Sequence, residues 1–161
     1  AKLKMTKPRY QEIASGRIPE VEREDGTRIR IIAGMVDGVR GPVTGIAADP
    51  IYLDVAIPPN GSFRHPVSRG HSSFAYLYQG VGLFVTEDGK EKAAAHPRLA
   101  VFGDGDRVEV RATEQGARLL LVSGKPLGEP IARYGPFVMN TKEEIRQALI
   151  DLQNGTFVQP V

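Results

Sequence analysis

The 161-residue chain has no cysteine. That excludes disulfides, thiolate metal sites and cysteine nucleophiles. Histidine is scarce as well: an imidazole-based metal site would have to draw on His65, His71 and His96. No apolar run approaches membrane-spanning length and no secretory signal opens the chain. With the missing cysteines, this gives the expectation of a cytoplasmic protein that touches no membrane. Long runs of one charge are also absent. Lys and Arg number 21 against 19 Asp and Glu, for a formal net charge of +2. The pI is about 9.0, but so small a surplus without a basic stripe argues against direct nucleic-acid binding. There is no G-x-S-x-G nucleophile motif and no phosphate-loop glycine spacing, "VSGKPLGEP" included.

What is present is strand-like. After an irregular lead-in over residues 1–20, the turn signal Asp25-Gly26 precedes Ile29, Ile31 and Ala33, which alternate with Arg28, Arg30 and Ile32. Such alternation marks a strand with one buried face. "IYLDVAI", "FAYLYQG", "RLAVFGDGD", "RVEVRA" and "ARLLLVSG" continue the series, and "GLFVTEDGKEKAA" reads as a hairpin across Asp88-Gly89. Short strands in succession, with glycine-rich separators and no helices between them, imply an antiparallel sandwich or barrel. "FGDGDRVEV" lacks the spacing of a calcium loop and reads as a glycine-aspartate turn. Phe74, Tyr76 and Tyr78 share one strand face. They are candidates to line a cavity, or to pack in the core with hydroxyls at the rim.

The ending changes period. Thr141 and Glu144 form a capping box, and Glu143 and Glu144 complement the helix dipole. Ile145, Ala148, Leu149 and Leu152 fall on one helical face, with Gly155 placed as the stop. The apolar "GPFVMN" before the helix reads as a docked connector.

"PRYQEI", "RIRIIAG" followed by "GVRGPV", "YLDVAIPPN", "GHSSFAYLYQG", "LLLVSGKPLGEPI" and above all "RYGPFVMNTKEEI" resemble the C-terminal half of a pirin, a two-domain cupin. The resemblance runs from about Lys4 to about Gly155. It implies a mainly β fold: a cupin-type antiparallel β-sandwich or barrel with one C-terminal amphipathic helix. Residues 1–20 would be an inter-domain lead-in, 21–139 a degenerate C-terminal cupin barrel, and 140–155 a helix packing on the barrel or the partner domain. The chain would then be the C-terminal half of a longer protein, whether an excised domain, a proteolytic product or a separately encoded half. In the family, three histidines and one glutamate of the N-terminal barrel bind a divalent metal, usually iron. Several members have quercetin 2,3-dioxygenase activity, and eukaryotic members are described as nuclear transcription cofactors. A nuclear location would follow for a eukaryotic source. The resemblance therefore implies no cofactor in this chain, a metal in the N-terminal half, and that half as partner. Pro136, Phe137, Met139, Ile145 and Leu149 are the expected contact with it, or with another protein.

The first cupin motif sets a His-x-His pair, then a glutamate, then a closing glycine. Alternate residues of one strand point the same way, so the pair aims two imidazoles inward. With Gly80 as the closing glycine, the glutamate position is Ser73. The histidine pair falls at Pro66 and Ser68, or at Val67 and Arg69. In the second motif, "EQGARL" puts Leu119 at the histidine position. The expected reading is a motif that keeps its architecture without its ligands, and structural roles for His65 and His71. The competing reading is a rearranged metal site made of His65, His71 and His96.

Overall fold

The computed structural model describes residues 3–7 and 10–158. The chain divides into two compact units. One is Ile13–Pro126; the smaller joins the N-terminal segment up to Glu12 with Leu127 onward.

In the larger unit, β1 (Glu20–Glu22) follows a short 3-10 turn at Ser15–Arg17, so the lead-in is not irregular throughout. Then come β2 (Arg28–Ala33), the small hairpin β3 (Met35–Val36) and β4 (Val39–Arg40), β5 (Ile51–Ile57), β6 (Ser62–Pro66), β7 (Ser72–Val85), β8 (Glu91–Ala95), β9 (Arg98–Val101) and β10 (Arg107–Gly124). The strand path runs β1-β2-β5-β10-β7-β8, with β6 also on β10 and β9 also on β7. All these pairings are antiparallel. Among the described residues no pairing joins the ends of the path into a closed barrel.

The two long strands make the sandwich. The first part of β10, Arg107–Arg111, pairs with β6, and its last part, Ala117–Ser123, pairs with β5. Strand β7 divides in the same way: Phe74–Leu77 pair with β9, and Val81–Val85 with β8. Each long strand thus belongs to both layers and must turn a corner. The register between them slips between Ala112 and Ala117, where Gly80 meets Ala117. Gly80 and Gly116 both have positive φ, +75° and +68°, and a Cβ at Gly80 would lie 2.1 Å from the Gly116 carbonyl oxygen. Only a residue without a side chain lets the two backbones approach so closely. "RVEVRA" and "ARLLLVSG", expected as separate strands, are one strand bent there.

The alternation read in "RIRIIAG" and "IYLDVAI" sets the core. Ile29, Ile31, Leu53, Val55 and Ile57 are buried, with Phe63, Leu77, Val110, Leu119 and Leu121 in the same cluster.

In the smaller unit, β11 (Ala132–Tyr134) and β12 (Phe137–Met139) form a hairpin ahead of α1 (Lys142–Gln153). Thr141 caps α1: its hydroxyl accepts from the Glu144 N–H at 3.1 Å, and the Glu144 carboxylate accepts from the Thr141 N–H at 2.9 Å. Gly155, at φ +71°, stands just past the end. Thr141→Ala should cost this unit about 1 kcal/mol, read as an earlier thermal loss of helical circular dichroism.

The helix stripe is covered by its own unit. Met139, Ile145 and Ala148 are buried together, with Phe137, Leu149 and Phe157 packed around them. Of the residues expected to meet a partner, Met139 and Ile145 are buried in this cluster, and Phe137 and Leu149 are partly buried against it. Pro136 is exposed. Leu152, assigned to the stripe, is 55% exposed: the helix ends at the next residue, Gln153, and Leu152 is not part of the cluster. Among the described residues no helix is long and apolar enough to cross a membrane.

Candidate functional site

A cupin's metal site would be built from inward side chains of strands corresponding to β6, β7 and β10. On β6 the buried positions are Phe63 and His65, and Val67 follows half-buried, while Pro66 and Ser68 face outward. The expected pair positions at Pro66 and Ser68 therefore have the wrong phase for ligands, and Arg69, paired with Val67 in the second frame, is exposed. On β7 the inward residues are Ser73, Ala75 and Leu77; on β10 they are Leu119, Leu121 and Ser123. Ser73 lies opposite Ser123. Their hydroxyls hydrogen-bond each other at 2.8 Å in a buried pair. Leu119 faces Leu77, both fully buried. Where a carboxylate and an imidazole belong, the interior holds a self-satisfied hydroxyl pair and two leucines. This donor set does not fit iron or a similar transition metal, which takes imidazole, carboxylate or thiolate ligands.

The three histidines do not come together, and among the described residues no three His, Asp or Glu side chains form a group able to hold a metal ion. The rearranged site of His65, His71 and His96 is thereby corrected. His65 is buried on β6, its ring stacked on Phe63 with centroids 6.1 Å apart. The Arg23 guanidinium lies over the Phe63 ring, bonds the Arg64 carbonyl at 3.0 Å, and pairs with Asp37 at 3.1 Å. Burial, and then the Arg23 charge, push His65 below the ordinary histidine value of 6.5, and Asp37 opposes them. The folded chain therefore resists a proton that the unfolded chain accepts. The stability from His65 is full above pH ~6.5 and is lost as pH falls from there through the lower folded value. Urea midpoints should decline across that acid window. His65→Met should flatten the decline.

His71 sits in the turn before β7, as expected, with its N–H donating to the Ser68 carbonyl at 3.1 Å. Its ring Nδ1 is enclosed without a hydrogen-bond partner among the described residues, where a hydrogen-bonded structural histidine was expected. Asp104 accepts from the Gly70 N–H at 2.6 Å and Asp106 pairs with Arg69 at 2.8 Å, so the "GDGD" carboxylates fasten this turn. His96 is exposed between β8 and β9.

Phe74 and Tyr76 are 36% and 40% exposed, and Tyr78 is half-buried on the same outward face. Cavity lining and core packing are both corrected: Ser73, Ala75 and Leu77 occupy the inward phase of β7, which sends the aromatic residues out. There Tyr78 donates to Asp54 and lies under the Arg118 guanidinium, 5.3 Å from its ring centroid. Burial, then the Asp54 bond and charge, raise the Tyr78 phenol to about 12, so it remains protonated at neutral pH. Sequence reasoning did not single out this group; the outward phase of β2, β5 and β10, read together, was the available signal.

The family model for the pirin C-terminal cupin domain matches residues 52–158. A pirin-like protein of Caulobacter vibrioides is 38% identical over 98% of this chain and 55% of its own length. Human pirin is 36% identical over 94% of this chain and 51% of its own. A crystal structure of quercetin 2,3-dioxygenase from Acinetobacter baumannii superposes with a TM-score of 0.79 at 30% identity, over 96% of this chain and 52% of that one. The chain thus spans about half the length of the relatives it matches. Residue motifs, the antiparallel sandwich and the family match agree, and the chain belongs to the pirin C-terminal cupin domain family.

Proposed function

We propose that this chain is the architectural, metal-free cupin half of a pirin-like protein. A quercetin 2,3-dioxygenase-type centre, with iron as its metal, belongs to an N-terminal cupin half outside residues 1–161. The observation that carries this reading is that two positions where cupin ligands belong hold Ser73, buried in its hydroxyl pair with Ser123, and the buried Leu119 of β10. The similarity to a quercetin 2,3-dioxygenase over about half of that enzyme supports the division of labour. A protein-interaction role, as in nuclear pirins, has less support, because Phe137 and Met139 are taken up in the small unit's own core. The test is quercetin consumption in air by the purified chain supplied with ferrous iron, with a full-length pirin-like relative setting the positive scale. No consumption above buffer is expected. Turnover by the chain alone would overturn the reading.

A further inference from the structure

The outward face of the larger unit carries a charged group that the architectural role leaves unused. Arg28 on β2 and Arg118 on β10 both pair with Ala56 of the intervening strand β5. One row across the sheet therefore reads Glu22, Arg28, Ala56, Arg118, with the two arginine backbones roughly 10 Å apart, two strand spacings. Alanine leaves a notch between two long cationic side chains. Arg30 pairs with Asp54 in the next row, and Glu20 on β1 pairs with Arg30. Together Glu20, Arg28, Arg30, Asp54, Ala56 and Arg118 line a depression of about 240 Å³. A second depression of about 210 Å³ shares Arg28, Ala56 and Arg118 and continues over Pro58, Pro59, Gln79 and Gln115.

Two of the three guanidiniums are held in place. Arg118 stacks on Tyr78 and lies 3.8 Å from Asp54. Arg30 bonds the Ser15 hydroxyl at 2.8 Å and the Ser15 carbonyl at 3.2 Å. Arg28 makes no hydrogen bond or ion pair among the described residues. Asp54 is already engaged by the Tyr78 hydroxyl. Three cations thus face three carboxylates, Glu20, Glu22 and Asp54, but Arg28 and Arg118 are the two that flank Ala56. An anion seated over Ala56 would lie between these two guanidiniums. It would receive N–H donors from Arg28 on one side and Arg118 on the other. Forked donors from two sides suit an oxyanion with three or four oxygens better than a two-oxygen carboxylate.

We propose that the notch over Ala56, between Arg28 and Arg118, binds a phosphate-type oxyanion, as free phosphate or as the head of a phosphate monoester whose remainder lies along Pro58, Pro59, Gln79 and Gln115. The proposal is independent of the oxygenase reading. The test is a titration of the isotope-labelled chain, followed by amide and arginine side-chain resonances, with inorganic phosphate, phenyl phosphate and acetate at matched low ionic strength. Saturable shifts centred on Arg28, Ala56 and Arg118 are expected with phosphate. Arg28→Gln should weaken binding about tenfold, the loss of one charge-assisted contact. Its melting temperature should stay unchanged, since Arg28 holds nothing else. Arg98→Gln, exposed on β9, should leave binding intact. Tighter binding of phenyl phosphate assigns the site to monoesters; equal binding assigns it to the free anion. Shifts that never saturate at millimolar phosphate, acetate binding as tight as phosphate, or equal losses in Arg28→Gln and Arg98→Gln would overturn the proposal.

Discussion

Gly80→Ala should remove most of the larger unit's stability, about 3–5 kcal/mol out of a total on the order of 5–15. Two costs combine. A non-glycine residue at positive φ loses about 1–2 kcal/mol. The larger cost is steric: the new Cβ would stand 2.1 Å from the Gly116 carbonyl oxygen and 3.1 Å from the Ala117 Cα. That obstacle is backbone, not the movable end of a side chain. It lies where β7 and β10 pass together from one layer to the other, so relief means parting the two strands that hold the layers together. Gly89→Ala separates the two costs. Gly89 has the same φ of +75°, and its Cβ would meet nothing within 4 Å. It should lose only about 1 kcal/mol. Urea unfolding of both variants reads the difference; equal midpoints would remove the corner from the account.

Ser73→Glu puts back the residue type that the first cupin motif carries, and should cost about 4 kcal/mol or more at neutral pH. Ser73 is buried against Ser123, so a glutamate there both overpacks the interior and buries a carboxylate against a hydroxyl in place of a cation. The carboxyl's folded value must rise above its unfolded value. Between the two the folded state holds the extra proton, so the penalty grows as pH rises through that window and eases toward pH ~4. Adding ferrous or cobalt ions should not rescue the variant, since no imidazole converges on the new carboxylate. Melting temperatures across pH, with and without metal, test both statements. A metal-dependent recovery would mean that the ligand set is closer to complete than the histidine positions allow.

The parts of the fold that depend on local chemistry were legible from the residues. Alternation placed Ile29, Ile31, Leu53 and Val55 inside, and the Thr141–Glu144 spacing marked the helix start. Two non-local features were not legible. "TEQG" reads as a loop between two strands. Its residues stay in β10 because that strand exchanges β6 for β5 at the corner, which no local window records. The phase of β7 was also hidden. Phe74, Tyr76 and Tyr78 are its more hydrophobic set, yet the interior takes Ser73, Ala75 and Leu77. The buried contact of Ser73 with Ser123, 50 residues away, holds that phase. The same hydroxyl pair is why the ligand question could be posed from the motif but answered only from the fold.

The central claim is that this cupin keeps the architecture and has no metal centre of its own. Its most direct test is the metal content of the purified chain after incubation with ferrous iron and removal of unbound ion, measured by elemental analysis. The account requires iron far below one equivalent, unchanged when His65 and His71 are replaced. One equivalent of iron, lost on replacing either histidine, would contradict it.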